Sequence, residues 1–394
     1  MHTFAAAGVR PRTVDALARH SITRPVAVQE EAIPILLAGG DAVIQAPTGS
    51  GKTIAFLVPL IERLAAAASG PRALVVAPTR ELAAQVDSVL RSLDSGLRIG
   101  LLYGGIGYAT QTAALKGGVD VIIGTPGRIL DMVGRKLLSL SRIEYLVLDE
   151  ADEMLDAGFA PDVERILGLT YQPQTVLASA TMPDWVATMI RKHMADPARI
   201  RVEADGEATL EHALVQVDMP AKLSVLSAVL RSHGRAIVFG RTKHGVRKLN
   251  RDLLRLGHNS VELQGNMPQS ARDRVMEGFR QSRTEVLVAT NVAARGLDLT
   301  DIDLVVNYEL PETPRWLTHR IGRTARMGET GRALTFVTPD DHARWSRLRR
   351  AGAPELRAID PQALATGDGW RYVNGSPERA EHRGRPRRRR RQPR

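Results

Sequence analysis

Short apolar runs recur along this chain, and each is followed by polar or glycine-containing residues and then by a segment with helical periodicity. Such alternation is typical of parallel sheets covered by helices on both faces. In the first half of the chain the runs occupy residues 42–44, 73–77, 119–123, 145–148 and 175–177. In the second half they occupy residues 236–239, 261–263, 286–289, 304–306 and 333–337. The pattern therefore predicts an α/β protein with two parallel-sheet domains in tandem.

The same pattern predicts where the domains begin and end. At 394 residues the chain is longer than a common single domain of ~100 to 150 residues. The apolar runs stop at a polar segment without strong periodicity and start again after it. We therefore predict a first domain over residues 1–203, a flexible linker over 204–211, a second domain over 212–360 and a tail over 361–394.

The composition excludes several classes of protein. The chain has no cysteine, which excludes a disulfide framework and a thiolate metal site. No stretch approaches the ~18 uninterrupted apolar residues that a membrane helix needs. The first ten residues lack a basic region followed by an apolar core, so we expect no secretory signal. These features favour a cytoplasmic protein that does not contact a membrane.

The positive charge is concentrated at the C-terminus. The formal net charge is +11, and residues 371–394 contribute +8 of it through ten arginines and two glutamates. A segment that is poor in apolar residues and repels itself is expected to be disordered and to bind polyanions. Nucleic acid is the expected partner because arginines neutralise phosphates and release counterions. The alternative is a solvated tail that only raises solubility.

The segment from Ala46 to Thr53 has the features of a phosphate-binding loop. It follows an apolar run, contains Gly49 and Gly51, and opens a helical segment, so backbone N–H groups and a helix dipole would point at an anion. Lys52 would contact the β and γ phosphates, and the Thr53 hydroxyl would ligate Mg²⁺. The usual pattern has glycine where Ala46 stands, so an ordinary glycine-rich turn is the alternative.

Polar residues follow each of the five apolar runs of the first half, and ligands of open α/β sheets bind beyond the carboxyl ends of the strands. The most informative of these residues are Asp149 and Glu150, which come directly after an apolar strand. An aspartate there can hold Mg²⁺, because this ion prefers carboxylate and phosphate oxygens. The adjacent glutamate can orient and deprotonate a water that attacks the γ-phosphate.

A second cluster, at residues 319–326, carries arginines at helical spacing. Arg323 and Arg326 are three residues apart, so on a helix both guanidinium groups could reach one phosphate. An arginine supplied across a cleft accelerates phosphoryl transfer by roughly 10³ to 10⁵. A basic helix exposed to solvent is the alternative, and no spacing makes His319 a metal ligand.

Taken together, these blocks resemble those of a bacterial-type DEAD-box ATP-dependent RNA helicase of helicase superfamily 2. The resemblance runs from Phe4 to about residue 339 and includes the name-giving sequence Asp149-Glu150-Ala151-Asp152. It implies two RecA-like domains, Mg²⁺ and ATP, with Ala46 as the family's own form of the phosphate loop. By this resemblance Gln29 reads the adenine edge and Asp298 contacts the ribose. The implied nucleotide contacts are Phe4, Arg24, Gln29, Ala46, Thr48, Gly49, Ser50, Gly51, Lys52, Thr53 and Asp298.

The resemblance also implies coupling residues and an RNA surface. The residues expected to couple the two domains are Asp152, Ser179, Thr181 and His319. The residues expected to bind RNA are Pro78, Thr79, Arg80, Gly105, Thr125, Pro126, Gly127, Arg128, Thr242, Gln269, Arg272 and Thr290. Hydroxyls, glycine amides and arginines bind phosphate and sugar without reading sequence, and contacts to 2′-OH groups would favour RNA over DNA.

Some positions depart from the usual pattern of the family. Ala27 stands where a proline is usual, and Ile22 follows Ser21 where an aromatic residue often follows glycine, which puts adenine stacking there in doubt. Asn291 replaces an aspartate and Ala325 a glycine. Neither of these two changes removes a charge assigned to phosphate chemistry, although Asn291 could weaken coupling between RNA and ATP.

We therefore expect an RNA-dependent ATPase that locally unwinds or remodels RNA duplexes and RNA–protein complexes as a monomer. Ribosomal or degradation-complex proteins are the expected protein partners. One alternative is an ATP-gated RNA clamp or annealing chaperone in which the basic tail supplies most of the affinity. A second alternative is a DNA translocase, which predicts that DNA stimulates ATP hydrolysis at least as strongly as RNA.

Overall fold

The computed structural model describes residues 3–47, 49–64, 70–202, 210–294, 302–324, 331–366 and 369–373, apart from the side chains at 292 and 294. These residues form two parallel seven-stranded sheets with helices around them, which confirms the predicted fold class. The strands of the first sheet are β1 (Ala42–Gln45), β2 (Ala73–Val76), β3 (Ile99–Leu102), β4 (Val121–Gly124), β5 (Tyr145–Leu148), β6 (Gln174–Ser179) and β7 (Ala198–Arg201). The strands of the second sheet are β8 (Leu210–Gln216), β9 (Ala236–Gly240), β10 (Ser260–Leu263), β11 (Val286–Thr290), β12 (Leu304–Asn307), β13 (Gly331–Val337) and β14 (Arg357–Ile359).

The helices follow the strands in chain order. The helices of the first domain are α1 (Pro11–Arg19), α2 (Ala27–Leu37), α3 (Lys52–Arg63), α4 (Arg80–Ser92), α5 (Tyr108–Lys116), α6 (Pro126–Gly134), α7 (Ala151–Asp156), α8 (Ala160–Gly168) and α9 (Asp184–His193). Those of the second domain are α10 (Lys222–Arg231), α11 (Lys243–Arg255), α12 (Gln269–Arg280), α13 (Asn291–Ala294), α14 (Pro314–Ile321), α15 (His342–Arg350) and α16 (Pro361–Thr366). Within the described ranges, none of the helices is both long and apolar enough to span a bilayer.

The two sheets have the same topology. The spatial order is β3-β4-β2-β5-β6-β1-β7 in the first and β10-β11-β9-β12-β13-β8-β14 in the second. Each position of the second sheet is therefore filled by the strand seven places later in the chain. Parallel strands need crossover connections, which are usually helices, so the carboxyl ends of the strands of each sheet lie at one edge.

Each sheet is buried on both faces, which explains why its strands are continuous apolar runs. In β1, Ala42 and Ile44 belong to one apolar cluster, whereas Val43 between them belongs to another on the opposite face. In β9, Val238 and Phe239 are divided in the same way between two clusters. The alternation of side chains along each strand therefore places helices on both sides of each sheet.

Four strands were missed by the apolar pattern, namely β3, β7, β8 and β14. Three of them, β3, β7 and β14, lie at sheet edges, where partial exposure permits polar side chains or glycine. β7 has the sequence Ala-Arg-Ile-Arg and buries only Ile200. An edge strand need not be apolar on both faces, so its sequence does not show the continuous run that identifies a central strand.

The predicted linker needs a correction at its end. Residues 204–209 lie outside the described residues, but Leu210 and Glu211 begin β8 and pair with Gly331 and Arg332 of β13. Polar residues such as Glu211 and His212 hide this strand in the sequence. The second domain therefore begins at residue 210 or earlier, and not at 212.

The predicted start of the tail also needs a correction. Residues 361–366 form α16, with Ala363 and Leu364 buried, and residues after it return to the sheet. Tyr372 forms an antiparallel bridge with Ile359, and its hydroxyl lies 2.7 Å from Glu211 Oε1. The second domain therefore extends at least to residue 373, because Leu364, Trp370 and Tyr372 pack against its core although the segment around them is polar. Residues 374–394, which carry most of the predicted basic tail, lie outside the described residues.

Candidate active site and interdomain cleft

The loop between β1 and α3 has the backbone of an anion-binding turn. Gly49 and Gly51 have φ angles of 86° and 95°, in the left-handed region that glycine tolerates best. The Lys52 ammonium group is buried and lies 2.7 Å from the Ala46 carbonyl and 2.6 Å from the Pro47 carbonyl. The lysine is thus held over the loop, at the N-terminus of α3, where a phosphate would meet the helix dipole and the free N–H groups.

Gln29 ties the start of α2 to this loop. Its side-chain oxygen accepts from the Val26 N–H at 3.1 Å, and its side-chain nitrogen donates to the Gly51 carbonyl at 3.1 Å. A Cβ on Gly51 would lie 2.6 Å from that nitrogen and 2.9 Å from a Val26 methyl group, so the close approach requires glycine. The structure therefore places Gln29 beside the phosphate loop, while its predicted contact with adenine stays a prediction.

The other predicted nucleotide contacts differ in exposure. Arg24 is exposed, Thr53 is half-buried in the first turn of α3, and the Ser50 hydroxyl donates to the Pro47 carbonyl at 2.8 Å. Phe4 is 1% exposed and packs in the apolar core, so its ring offers no face to a ligand in this conformation. Thr48 and Asp298 lie outside the described residues.

Asp149 and Glu150 lie at the carboxyl end of β5 and are buried, with 3% and 8% of their surface exposed. Burial, with the neighbouring Glu150 carboxylate as a second cause, raises the pKa of Asp149 to about 7. Glu150 has a φ of 49°, a conformation that costs most residues roughly 1 kcal/mol or more. Its Oε2 atom is buried without a hydrogen-bond partner among the described residues. Two poorly compensated carboxylates beside the Lys52 loop suit a divalent cation and a water molecule.

Asp152 connects this strand end to the segment after β6. Its Oδ2 accepts from the backbone N–H of Thr181 at 2.9 Å and from the Thr181 hydroxyl at 2.7 Å. The Ser179 hydroxyl accepts from the Asp152 N–H and donates to the Thr181 carbonyl at 2.7 Å. Burial alone would raise the pKa of Asp152, but the bonds from Thr181, with Arg315 and His319 nearby, outweigh it and hold the pKa below its usual range.

His319 of α14 and Arg323, which lies two residues beyond the end of this helix and not on it, reach the same place. His319 Nε2 lies 3.9 Å from Asp152 Oδ2, and both His319 Nδ1 and Arg323 Nη2 lie 3.7 Å from Glu153 Oε1. The structure therefore brings the predicted coupling residues together across the cleft. Arg326 lies outside the described residues. The sequence analysis did not single out Glu153, although a carboxylate next to the Asp149–Asp152 block was a visible signal.

Arg320 was also missed, and it is a buried polar side chain of the cleft, at 2% exposure. Its Nε donates to Asn291 Oδ1 at 2.6 Å, and its Nη1 donates to Asn307 Oδ1 at 3.0 Å and to the Glu309 carbonyl at 2.7 Å. Burial lowers the pKa of this guanidinium to about 9. All three acceptors are neutral, and Nη2 has no hydrogen-bond partner among the described residues. Asn291, the departure from the family pattern, is thus a direct ligand of a buried cation.

Arg315 is a third residue that the sequence analysis missed. Its guanidinium contacts three side chains of the first domain: Nη2 donates to Thr181 Oγ1 at 2.8 Å, Nη1 donates to Asp156 Oδ1 at 3.1 Å, and Nη2 lies 3.4 Å from Asp152 Oδ2. It stands four residues before His319, so both side chains lie on one face of α14. The four-residue spacing between Arg315 and His319 was the feature of the sequence that could have indicated a shared role.

The predicted RNA residues lie at the carboxyl ends of the other strands. They follow β2, β3 and β4 in the first sheet and β9, β10 and β11 in the second, which are neighbours at one side of each sheet. The glycine loop follows β1, the acidic block follows β5 and the predicted coupling residues Ser179 and Thr181 lie at the end of β6, and these three strands are neighbours in the remaining part of the first sheet. The strand order therefore separates the predicted RNA residues from these groups along one edge, a division that the chain order does not show.

Two predicted RNA residues of the second domain take part in contacts between the domains. Arg272 contacts Glu81 Oε1 through Nε at 2.8 Å and through Nη2 at 2.6 Å, and both side chains are largely buried. Gln269 Oε1 accepts from Arg80 Nη1 at 3.2 Å. This geometry encloses the Arg272 guanidinium in protein, and its predicted contact with RNA stays a prediction. Gly105 permits the arrangement, since a Cβ there would lie 2.1 Å from Arg80 Nη1.

Arg128 supports the loop that carries Gly105. Its Nη2 donates to the Ile106 carbonyl at 3.3 Å, and its guanidinium carbon lies 4.4 Å from the centre of the Tyr108 ring. Thr125 is 8% exposed, whereas Gly127 is exposed at the first turn of α6. Of these predicted RNA contacts, Gly127 is the one that the described conformation leaves most open.

The remaining predicted RNA residues are positioned by helix ends and strand ends. Thr79 caps α4 by accepting from the Leu82 N–H at 3.2 Å, and Thr242 caps α11 by accepting from the Gly245 N–H at 3.0 Å. A cavity of about 440 Å³ lies on this side of the cleft and is lined by residues of both domains. Its lining includes Pro78, Thr79, Asp156, Thr290, Trp316 and Arg320.

Comparison with known proteins agrees with the division of the chain into two domains. The family model described as DEAD/DEAH box helicase matches residues 26–189, and the one described as helicase conserved C-terminal domain matches residues 221–328. Relatives extend this match across nearly the whole chain. The DEAD-box ATP-dependent RNA helicase CshA of Geobacillus kaustophilus is 38% identical over 92% of this chain and 79% of its own length. The chain belongs to the DEAD-box helicase family.

Another family member, the ATP-dependent RNA helicase CshA of Listeria monocytogenes, is 42% identical over 86% of this chain, which spans 66% of that relative's length. Among solved family structures, Dbp5 of S. cerevisiae bound to RNA and ADP BeF3 is 30% identical and covers 93% of this chain and 97% of its own, with a TM-score of 0.81. A DEAD box protein from Methanococcus jannaschii is 34% identical over 91% of this chain and 99% of its own, but its TM-score is 0.55. The higher score despite lower identity shows that the two domains here are arranged much as in the Dbp5 complex.

Proposed function

We propose that this protein is an RNA-dependent ATPase that locally unwinds or remodels RNA duplexes and RNA–protein complexes. The observation that carries the proposal is the contact of His319 on α14 with Asp152 and Glu153, because it joins the second domain to the carboxylates beside the phosphate loop. ATP and RNA would both bind across this cleft, so each ligand would favour the closed arrangement in which the other binds.

Nucleotide and magnesium would be held by the first domain. The residues present fit both ligands: the loop offers N–H groups and Lys52 to phosphates, and Asp149 is a buried carboxylate near that lysine. Within the described residues no group of three acidic or imidazole side chains could hold a metal ion alone, so phosphate oxygens and water would complete the shell around Thr53 and Asp149. Bound magnesium would neutralise charge on the β and γ phosphates.

Glu150 would act as the general base. Its buried Oε2 has no hydrogen-bond partner among the described residues, so it can accept a proton from a water molecule aimed at the γ-phosphate. Arg323 approaches from the second domain, and Arg326 would join it to stabilise the charge of the transition state. Arg323 belongs to the second domain, so it reaches the nucleotide of the first domain when the cleft is closed. Hydrolysis would therefore depend on closure.

RNA would bind along the sheet edges through phosphate and sugar contacts. Gly127, Thr79 and Thr242 offer backbone and hydroxyl groups that do not read sequence. Such a surface would prefer RNA through contacts with 2′-OH groups, and closure would bend one strand of a duplex. Within this proposal the enzyme acts as a monomer on cytoplasmic RNA, with ribosomal or degradation-complex proteins as partners.

One ATPase assay tests the proposal directly. Hydrolysis is measured without nucleic acid, with single-stranded RNA and with DNA of the same sequence, and Lys52→Ala serves as the inactive control. We expect strong stimulation by RNA and weak stimulation by DNA. Equal stimulation by DNA would favour a DNA translocase, and no stimulation by either would refute the proposal.

A strand-separation assay distinguishes unwinding from an ATP-gated clamp or annealing chaperone. A short RNA duplex is incubated with ATP and either the full chain or a chain that ends at residue 373. This truncation keeps Trp370 and Tyr372, which pack against the core of the second domain. A truncation that begins at Gly369 would remove both side chains and expose that core. We expect strand separation by both proteins, with weaker RNA binding by the shorter one. Loss of separation together with loss of binding would favour the clamp.

A further inference from the structure

Arg315 joins α14 to three side chains of the first domain. It reaches Asp152 and Asp156 of α7 and Thr181 after β6, and only 19% of its side chain is exposed. We propose that Arg315 is a positioning residue that latches the second domain onto this part of the first domain and so sets the stability of the closed cleft. The inference rests on the proposed function, because closure matters only if ATP and RNA bind across the cleft.

The surroundings of Arg315 make this contact stronger than a surface ion pair. Exposed pairs contribute about 0 to 1 kcal/mol, because water and salt screen them. Here Asp152 is 1% and Asp156 18% exposed at the side chain, and the planar guanidinium is divided between two carboxylates and a hydroxyl. Charge-assisted hydrogen bonds in such partly desolvated surroundings are among the strongest that side chains form.

The contact also joins the latch to the catalytic strand end. The Thr181 hydroxyl accepts from Arg315 and donates to Asp152, so the three side chains form one hydrogen-bonded chain. Asp152 follows Asp149 by three positions and Glu150 by two, at the same turn. A movement of this turn when nucleotide binds or is hydrolysed would therefore change the geometry that Arg315 needs. Arg315 is placed to link the state of the nucleotide site with domain closure.

Arg315 and His319 approach the same carboxylate of the first domain. Their nitrogen atoms lie 3.4 Å and 3.9 Å from Asp152 Oδ2. Arg315 also donates to Asp156, which lies at the end of α7 and outside the residues predicted for catalysis or coupling. Asp156 therefore offers a test of the latch that leaves the nucleotide residues unchanged.

Domain closure can be measured directly, because the chain has no native cysteine. Arg165→Cys and Arg251→Cys are exposed positions, one in each domain, that can carry a fluorescent donor and acceptor. Energy transfer is recorded with ADP–beryllium fluoride and a uridine oligonucleotide. We expect Arg315→Ala to lower the closing equilibrium constant about 10- to 100-fold, as expected for lost hydrogen bonds to charged groups. The RNA concentration for half-maximal ATPase should rise accordingly, with a smaller loss of kcat at saturating RNA.

Two variants provide controls for this measurement. Arg347→Ala removes the same charge from an exposed position of the second domain and should leave closure unchanged. Arg315→Lys retains the charge but not the fork that spans two carboxylates, so we expect partial rescue. Equal closure of Arg315→Ala and the parent protein would overturn the latch.

A double-mutant cycle separates the latch from a general loss of stability. Asp156→Ala changes the opposite domain, and we expect the Arg315→Ala/Asp156→Ala protein to close no less readily than Arg315→Ala alone. Independent, additive losses would overturn the proposed pairing. If the parent protein shows neither RNA-stimulated ATPase nor closure, the proposed function fails and the latch fails with it. If the parent closes and only the cycle is additive, the latch alone is wrong.

Discussion

Single residues in this cleft are held in states that cost free energy unless a ligand or partner compensates them. Glu150 combines a left-handed backbone with a buried carboxylate oxygen that has no partner among the described residues, and Arg320 is a buried cation with neutral acceptors. Such features cluster at functional sites because the surrounding fold maintains them against their local preference. Both residues therefore lend themselves to substitution with a defined outcome.

Glu150→Gln should separate binding from hydrolysis. The amide keeps the size of the side chain but cannot accept the proton of the attacking water, so we expect the ATPase rate to fall about 10² to 10⁴-fold with ATP and RNA binding retained. Turnover is measured with radiolabelled ATP, and binding with a fluorescent nucleotide and a labelled RNA. Glu144→Gln, an exposed carboxylate that pairs with Arg72, is the matched control. A Glu150→Gln protein that hydrolyses ATP at the parent rate would exclude this residue as the base.

Asn291→Asp should stabilise the second domain. The substitution gives the buried Arg320 a charged acceptor in place of an amide oxygen 2.6 Å from Nε, and hydrogen bonds to charged groups are worth about 1 kcal/mol more than neutral ones. We expect the free energy of unfolding in urea to rise by about 1 kcal/mol. Gln362→Glu, an exposed amide-to-carboxylate change in the same domain, should have little effect. The prediction fails if the two variants are equally stable.

Whole elements explain which parts of the chain escaped sequence-based prediction. The central strands β5 and β9 are buried on both faces and were found, whereas β8 carries His212 and Glu211 among its apolar residues and was partly assigned to a linker. β8 is a strand because it fills the gap between β13 and β14, and not because its sequence is strongly apolar. Tertiary pairing overrides weak local preference in such cases.

His212 makes the β8–β13 pair sensitive to acid. Burial lowers its pKa from 6.5 to about 4, and its Nε2 lies 2.9 Å from Thr335 Oγ1. Between pH 6.5 and 4 the unfolded chain takes up a proton that the folded domain does not, so stability falls as the pH falls. Above pH 6.5 both states are neutral and the group has no effect on the pH dependence.

His212→Gln should therefore reduce the loss of stability in acid. Glutamine can still contact Thr335 but does not titrate, so unfolding free energy should fall less between pH 7 and 4.5, by on the order of 2 kcal/mol. Urea unfolding at several pH values measures this difference. The exposed His244→Gln substitution is the control and should keep the parent's pH dependence. An unchanged acid profile in His212→Gln would contradict the prediction.

The whole molecule is organised by contacts between two domains with the same topology. Near the predicted RNA surface the domains meet through Arg272 and Glu81, and near the nucleotide residues they meet through Arg315 and His319 of α14. A cavity of about 440 Å³ is also lined by residues from both domains. Closure therefore depends on two separate groups of charged contacts.

The Arg272–Glu81 pair should contribute to closure as one unit. Arg272→Ala and Glu81→Ala should each raise the RNA concentration for half-maximal ATPase about tenfold or more. Each substitution leaves a largely buried charged side chain without the opposite charge that it pairs with. The double variant should be no worse than either single variant. RNA titrations of ATPase activity measure the effect, with the exposed Arg274→Ala on the same helix as control. Additive losses in the double variant would show that the residues act separately.

The sequence by itself determined the fold class, the glycine-containing turn after β1 and the buried carboxylates after β5, while the roles of these residues stay predictions. These features depend on local patterns: buried strands are continuous apolar runs, and glycine and acidic residues follow them at fixed positions. The membership of Arg323 in the cleft was also visible, because a family pattern contains it. Residue types at short spacing are sufficient for such predictions.

Only the tertiary structure decided the contacts between residues far apart in the chain. Arg272 was assigned to RNA but is enclosed by Glu81, which stands 191 residues earlier, and Arg315 reaches Thr181 across 134 residues. No local pattern encodes such pairs, because they depend on how two separately folded domains meet. The same holds for Phe4, whose burial in the core follows from packing against helices that come later in the chain. Burial and partner choice are properties of the assembled cleft, and they decide which arginines bind protein and which groups stay open to ligands.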